Sequence, residues 1–193
     1  MTRASETKPA QGVTVNRAIA RLTAEAYALR KDMAALKALA KAGGRVGCLF
    51  MQVTSSALQS DLLARLIRVL EQGKKVKSFW FLCRCGVLRV DGDAIAFLTG
   101  LTGRLTGIRN KVFMHIDKDG LDDPQKFYRE ANICWPEVEM AVAKVSSLAA
   151  RLYEERLGRP AENVSIADLE GIFDRDLNRF GGWATADATG TKP

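Results

Sequence analysis

Histidine is almost absent from this chain: His115 stands alone among 193 residues. A metal centre built on two or more imidazoles is therefore excluded within one subunit. Four cysteines are present, Cys48, Cys83, Cys85 and Cys134. Cys83-x-Cys85 is not the spacing of a zinc pair, and no second histidine exists to complete a set. Reduced, mostly buried thiols are the expectation. No apolar run approaches the ~20 residues that a membrane span needs. Met1 to Gln11 is polar and lacks the apolar segment of a secretion signal, so a cytoplasmic protein without membrane partners is expected. No Gly-Lys-Ser/Thr follows a glycine loop, which excludes a Walker-type phosphate loop. The acidic run Asp117, Asp119, Asp122, Asp123 is not a calcium loop. Its glycine, Gly120, comes too early, and Tyr128 stands where the closing glutamate belongs. Internal repeats are also lacking.

What is present is ordinary for a globular chain: 47% hydrophobic and 26% charged residues. The simplest organisation is one domain with appendages. Residues 1–13 read as a disordered N-terminus and 14–158 as a helical bundle. Residues 159–181 read as an appended helix and 182–193 as a disordered tail. Thr14 can cap a helix in which Val15, Ile19, Leu22, Ala26, Leu29, Met33, Leu36 and Ala40 recur at steps of four and three, one helical face. Gly43-Gly44 ends it. Val46 to Val53 also fits a buried strand. Helical spacing nevertheless continues through Val46, Leu49, Phe50, Val53, Ala57, Leu62, Leu66 and Leu70. A lone strand would leave its backbone unpaired, so one long helix is predicted.

Ser78 starts a short apolar helix, Phe79 to Cys83, placed to plug one end of the core. Asp91 or Gly92 opens a helix whose stripe is Ile95, Leu98, Leu101, Leu105, Ile108 and Val112. Gly100, Gly103 and Gly107 interrupt it, each costing about 1 kcal/mol relative to alanine. Two readings are open: a loop at Gly100 to Gly103 with the helix starting near Thr102, or small residues that let another backbone approach. Asp123-Pro124 starts a short helix through Asn132. Trp135-Pro136 starts the last long one, with Val138, Ala141, Val145, Leu148 and Leu152 inward and Gly158 at its end. Ser165-x-x-Asp168 resembles a capping box for an appended helix bearing Ile166, Leu169, Phe173 and Leu177. The fold class is all-α, an up-and-down bundle of four to five main helices with an appended C-terminal helix.

Charge is unevenly spread. Residues 1–115 hold 19 Lys and Arg against 7 Asp and Glu, while 116–193 hold 10 against 15. A basic half is the footprint of an acidic polymer, although solvated basic helix faces, or a meeting with the acidic half of a neighbouring subunit, produce the same count. The basic half ends in Arg109-Asn110-Lys111-Val112-Phe113-Met114-His115. Arginine presents a planar fork suited to phosphate, asparagine an amide that both donates and accepts, and histidine a proton exchanger near neutral pH.

Arg-Asn, four residues, then His resembles the motif of the HEPN superfamily, small all-helical prokaryotic domains that include RNA-cleaving toxins. Lys111 to Asp117 is most similar to its abortive-infection branch, and the likeness covers about residues 15–158. The resemblance implies a metal-independent endoribonuclease, a toxin or antiviral effector, that needs no cofactor. It acts as a homodimer in which the motif helices meet. By the same resemblance His115 is the acid/base, Arg109 the phosphate clamp, and Asn110 positions substrate or imidazole. Partners are RNA, a second copy of the chain, and an antitoxin protein. The branch controlled by nucleotidyltransferase antitoxins carries a tyrosine two places after the histidine. Asp117 stands there, so that mode of control is not expected.

On a regular helix Arg109 and His115 lie about 120° apart. They converge only if the helix ends or loosens near His115, as Asp117 and Gly120 allow. Arg65, Arg68, Lys74, Lys75, Arg104 and Lys111 are the expected phosphate contacts. The competing reading is a non-catalytic helical module that binds RNA, a nucleotide or a protein.

Overall fold

One long helix, α1 (Lys8–Ala42), organises the packing in the computed structural model. The structure describes residues 8–42, 49–73, 76–109, 129–158, 169, 171–173 and 175–176. After α1 come α2 (Leu49–Val69), α3 (Phe79–Arg84), α4 (Gly92–Ile108) and α5 (Trp135–Leu157). The fold is all-α, with no strand among the described residues. No helix there is long and apolar enough to cross a membrane.

The predicted stripe of α1 is buried from Ile19 through Leu22, Ala26, Leu29 and Met33 to Leu36. A second line, Ala18, Ala34, Ala35, Ala38 and Leu39, is buried as well. Two buried lines let α1 pack on both α5 and α2, its most extensive neighbours. Both neighbours run antiparallel to it. Ser146 Oγ donates to Ala26 O at 3.4 Å, and Lys37 pairs with Glu139 at 3.1 Å. On the other side Arg65 meets Asp32 at 3.1 Å, and Arg68 lies 3.9 Å from Glu25.

Several sequence expectations are corrected. Helix α1 begins at Lys8, so residues 8–13, read as disordered, are helical. Pro9 does not prevent this, because a proline in the first turn lacks only an N–H that has no intrahelical acceptor there. From Leu49 on the helix is right and the strand wrong, Val46 to Cys48 lying outside the described residues, but the stripe is only partly buried. Leu62, Leu66 and Leu70 are inside, whereas Leu49 and Val53 are 74% and 59% exposed and Ala57 is exposed too. Leu49, Val53 and Ala57 therefore stand clear of the core, whereas Leu58 packs against it. The loop reading at Gly100 to Gly103 fails: α4 runs unbroken through all three glycines. The described thiols are less buried than expected, since Cys85 and Cys134 are exposed and Cys83 is half-buried, while Cys48 lies outside the described residues.

The plug is as predicted. Phe79, Trp80 and Leu82 of α3 are buried, and the Trp80 indole donates to Leu70 O at 2.8 Å. Burying each large apolar side chain of this kind contributes about 1.5–3 kcal/mol. The apolar line of α5 is also as predicted, with Val138, Ala141, Val145 and Leu152 buried. Gly158, at φ 62, closes that helix in the left-handed region that glycine adopts without strain.

Candidate active site

Helix α4 carries the first residue of the motif to the rim of the bundle. Asp91 caps it, its carboxylate accepting from Ala94 N–H at 2.7 Å, and that bond lowers the Asp91 pKa. Leu98, Leu101, Leu105 and Ile108 anchor the helix in the core. Ile95, predicted to share that stripe, is 40% exposed. Arg109 follows directly with helical angles, φ −51 and ψ −49, and its N–H still reaches Leu105 O and Thr106 O. Its backbone is thus an extension of a buried helix, while its side chain is about a third exposed.

The Arg109 guanidinium meets Glu71 at 3.0 Å. Glu71 lies just beyond α2, and its carbonyl accepts from Ser78 Oγ at 2.5 Å. The ion pair therefore ties the end of α4 to the turn between α2 and α3. Beside that turn is a small surface depression rimmed by Arg21, Arg68 and Lys77, with Glu25 among them. Arg68 was expected from the sequence. Arg21 and Lys77 were not, because they come from elements whose convergence only the fold reveals. Lys77 follows Lys74-Lys75, and that cluster was the one available signal.

Arg65 and Arg104, the other predicted phosphate contacts within the described residues, have carboxylate partners. Arg65 sits 2.7 Å from Asp61, 3.1 Å from Asp32 and 3.5 Å from Glu25. Asp32 is only 5% exposed, a buried acid that directly follows Arg30-Lys31 and that nothing in the sequence announced as buried. Burial pushes its pKa up, and the Arg65 charge opposes that rise. Arg104 forms a two-pronged contact with Glu137, 2.7 and 3.1 Å, and also donates to Asn132 O at 2.6 Å. The Arg104 hydrogen bonds, helped by the Cys134 N–H, hold the Glu137 carboxyl down at about 2. These two arginines knit helix to helix: α1 to α2, and α4 to α5.

Asn110, Lys111 and His115 lie outside the described residues, as do Lys74 and Lys75. Burial raises the Cys83 thiol to about 11, so it is protonated at neutral pH and unsuited to nucleophilic work. Among the described residues no three His, Cys, Asp or Glu side chains are grouped as metal ligands. Comparison with family models, curated proteins and solved structures finds no match.

Proposed function

We propose that the chain is a metal-independent endoribonuclease of the HEPN type, acting on RNA as a homodimer in toxin or antiviral defence. The observation that carries the reading is the setting of Arg109. It ends a core-anchored helix and faces Glu71 in a third-exposed ion pair, which ties it to the turn whose Lys77, with Arg21, Arg68 and Glu25, rims a depression. Ion pairs that open to solvent contribute only about 0–1 kcal/mol, so a phosphate can replace Glu71 at little expense while the backbone stays fixed. Glu71 thus stands in for the negative charge of a substrate.

The chemistry follows from the residue types. One His115 takes the proton of a ribose 2′-hydroxyl, whose oxygen attacks the adjacent phosphorus. The P–O5′ bond breaks, and an imidazolium, the His115 of a second copy, protonates the leaving oxygen. Arg109 neutralises the pentacoordinate phosphorane. The products are a 2′,3′-cyclic phosphate and a 5′-hydroxyl end. Two imidazoles are needed and each chain supplies one, which is the reason for a shared cleft.

The test is cleavage of single-stranded RNA by the full chain. The His115→Ala and Arg109→Ala variants are expected to stay folded and to lose roughly a hundred- to ten-thousand-fold in rate. EDTA leaves the wild type active. RNA bound tightly but never cut would favour the second reading, a non-catalytic RNA-binding module in which Arg109–Glu71 is a structural tie. Cleavage that disappears with EDTA and returns with magnesium would overturn the proposed chemistry.

A further inference from the structure

Where the last turns of α5 meet the connection from α3 to α4, the chain forms a cleft of about 510 Å³. Its floor includes Leu88 and Leu152, both buried. Among the described residues Arg89, Arg151 and Arg156 line its rim with a single carboxylate, Glu155. The rim is net positive. The volume falls within the few hundred to ~1,000 Å³ of small-molecule sites.

The cleft is fixed in shape. Gly86 turns the chain at φ 67, and the N–H groups of Val87 and Leu88 both donate to Leu82 O, at 3.1 and 3.2 Å. Arg151 Nη2 donates to Arg89 O at 2.9 Å and clamps α5 to that turn. Its contact with Glu155 is long, 3.8 Å, and exposed on both sides. Arg89 and Arg156 have no ion-pair partner among the described residues. Helix–helix tying thus accounts for Arg65 and Arg104 but not for this trio. A concave rim of three guanidiniums against one carboxylate, with Arg151 held to the Arg89 carbonyl, is chemistry for an oxyanion.

We propose that this cleft is a second binding site, for a phosphate-bearing ligand held by Arg89 and Arg156 with Arg151 as the fixed wall. It is separate from the nuclease reading. Arg89 precedes α4 and Arg109 follows it, about 25 Å of helix apart. The phosphate can come from a free nucleotide or from the backbone of an RNA, and the experiment separates the two.

The full chain is titrated calorimetrically with pyrophosphate, with a nucleoside triphosphate, and with a short single-stranded RNA in the Arg109→Ala background. Wild-type binding of any of these, weakened about tenfold or more per arginine in R89Q/R156Q, is the expected result. Saturation by the nucleotide assigns a nucleotide site, and loss confined to the RNA titration assigns a backbone contact. Both arginines are exposed, so circular dichroism should be unchanged. Glu155→Gln removes the only carboxylate that the described residues give the rim and should tighten binding severalfold, a change in the opposite direction that misfolding cannot mimic. No binding by wild type, or equal binding by wild type and R89Q/R156Q, overturns the proposal whether or not the protein cuts RNA.

Discussion

At the residue scale the buried charges have the most to say. Asp32 has a raised pKa because burial disfavours its charged form. Arg65 opposes that cost, so removing it leaves a carboxylate without its principal partner. Arg65→Ala should lose about 2 kcal/mol at neutral pH, less than the ~3–5 of a wholly buried pair, because the guanidinium is partly exposed. A group with a raised folded value gains stability as pH falls through that value. The variant should therefore recover part of its loss as pH falls from neutral toward the carboxylate range, and urea unfolding at a neutral and an acidic pH would measure it. Equal losses at the two would show that Asp32 is not the cause. Glu137 has the opposite sign. Its value is depressed to about 2, so its contribution is complete above the ordinary 4.5 and fades as pH falls toward 2. Glu137→Gln should flatten the stability curve across that window. Neither acid was legible in the sequence as a structural partner. Asp32 follows Arg30-Lys31 and looks like part of a solvated charged face, and Arg104 and Glu137 are 33 residues apart. Charge counting saw Arg65 and Arg104 as cations awaiting RNA, because it cannot see which cations the fold has already matched.

At the scale of elements, periodicity was a good guide wherever a helix faces another helix. It located α1, α4 and α5, and it settled the ambiguous start of α2 in favour of helix. It failed at Leu49 and Val53, since an apolar stripe reveals a face but not whether anything covers it. It also left open what three glycines do in α4. They lie on exposed positions, and a Cβ added at any of them meets nothing within 4 Å. In this chain, then, they relieve no crowding. Gly100→Ala and Gly103→Ala should each stabilise the monomer by about 0.5–1 kcal/mol, through helix propensity and a less flexible unfolded chain. Thermal unfolding at low protein concentration checks this. A drop in stability at either position would mean that a backbone does approach there, as one reading of the sequence held. Leu49→Gln and Val53→Gln should change stability by no more than about 0.5 kcal/mol, as exposed substitutions do. The same changes at Leu62 or Leu66 should be severe.

For the whole molecule, the all-α class and the plug at α3 were readable from spacing and capping alone, while the proposed reactive centre was readable only as a motif. The described structure reaches the motif at Arg109 and no further. A net charge of +12 in the first 115 residues, within +7 for the whole chain, predicts RNA affinity that falls steeply with salt, because each arginine or lysine on a phosphate releases counterions. Filter binding at about 50 and 200 mM salt should differ by orders of magnitude if six or more phosphates are contacted. Affinity indifferent to salt would give the basic half another purpose. The packing of α1 carries one last consequence, for synthesis. Its buried line rests on α5, with partners as distant as Ala26 and Ser146, 120 residues apart. During translation α1 leaves the ribosome long before α5 exists, and elongation at roughly 5–20 residues per second makes that wait several seconds. Through that interval Ile19, Leu22, Leu29 and Met33 have no α5 to cover them. A nascent chain arrested before Trp135 should therefore be a chaperone client, whereas the finished chain should not.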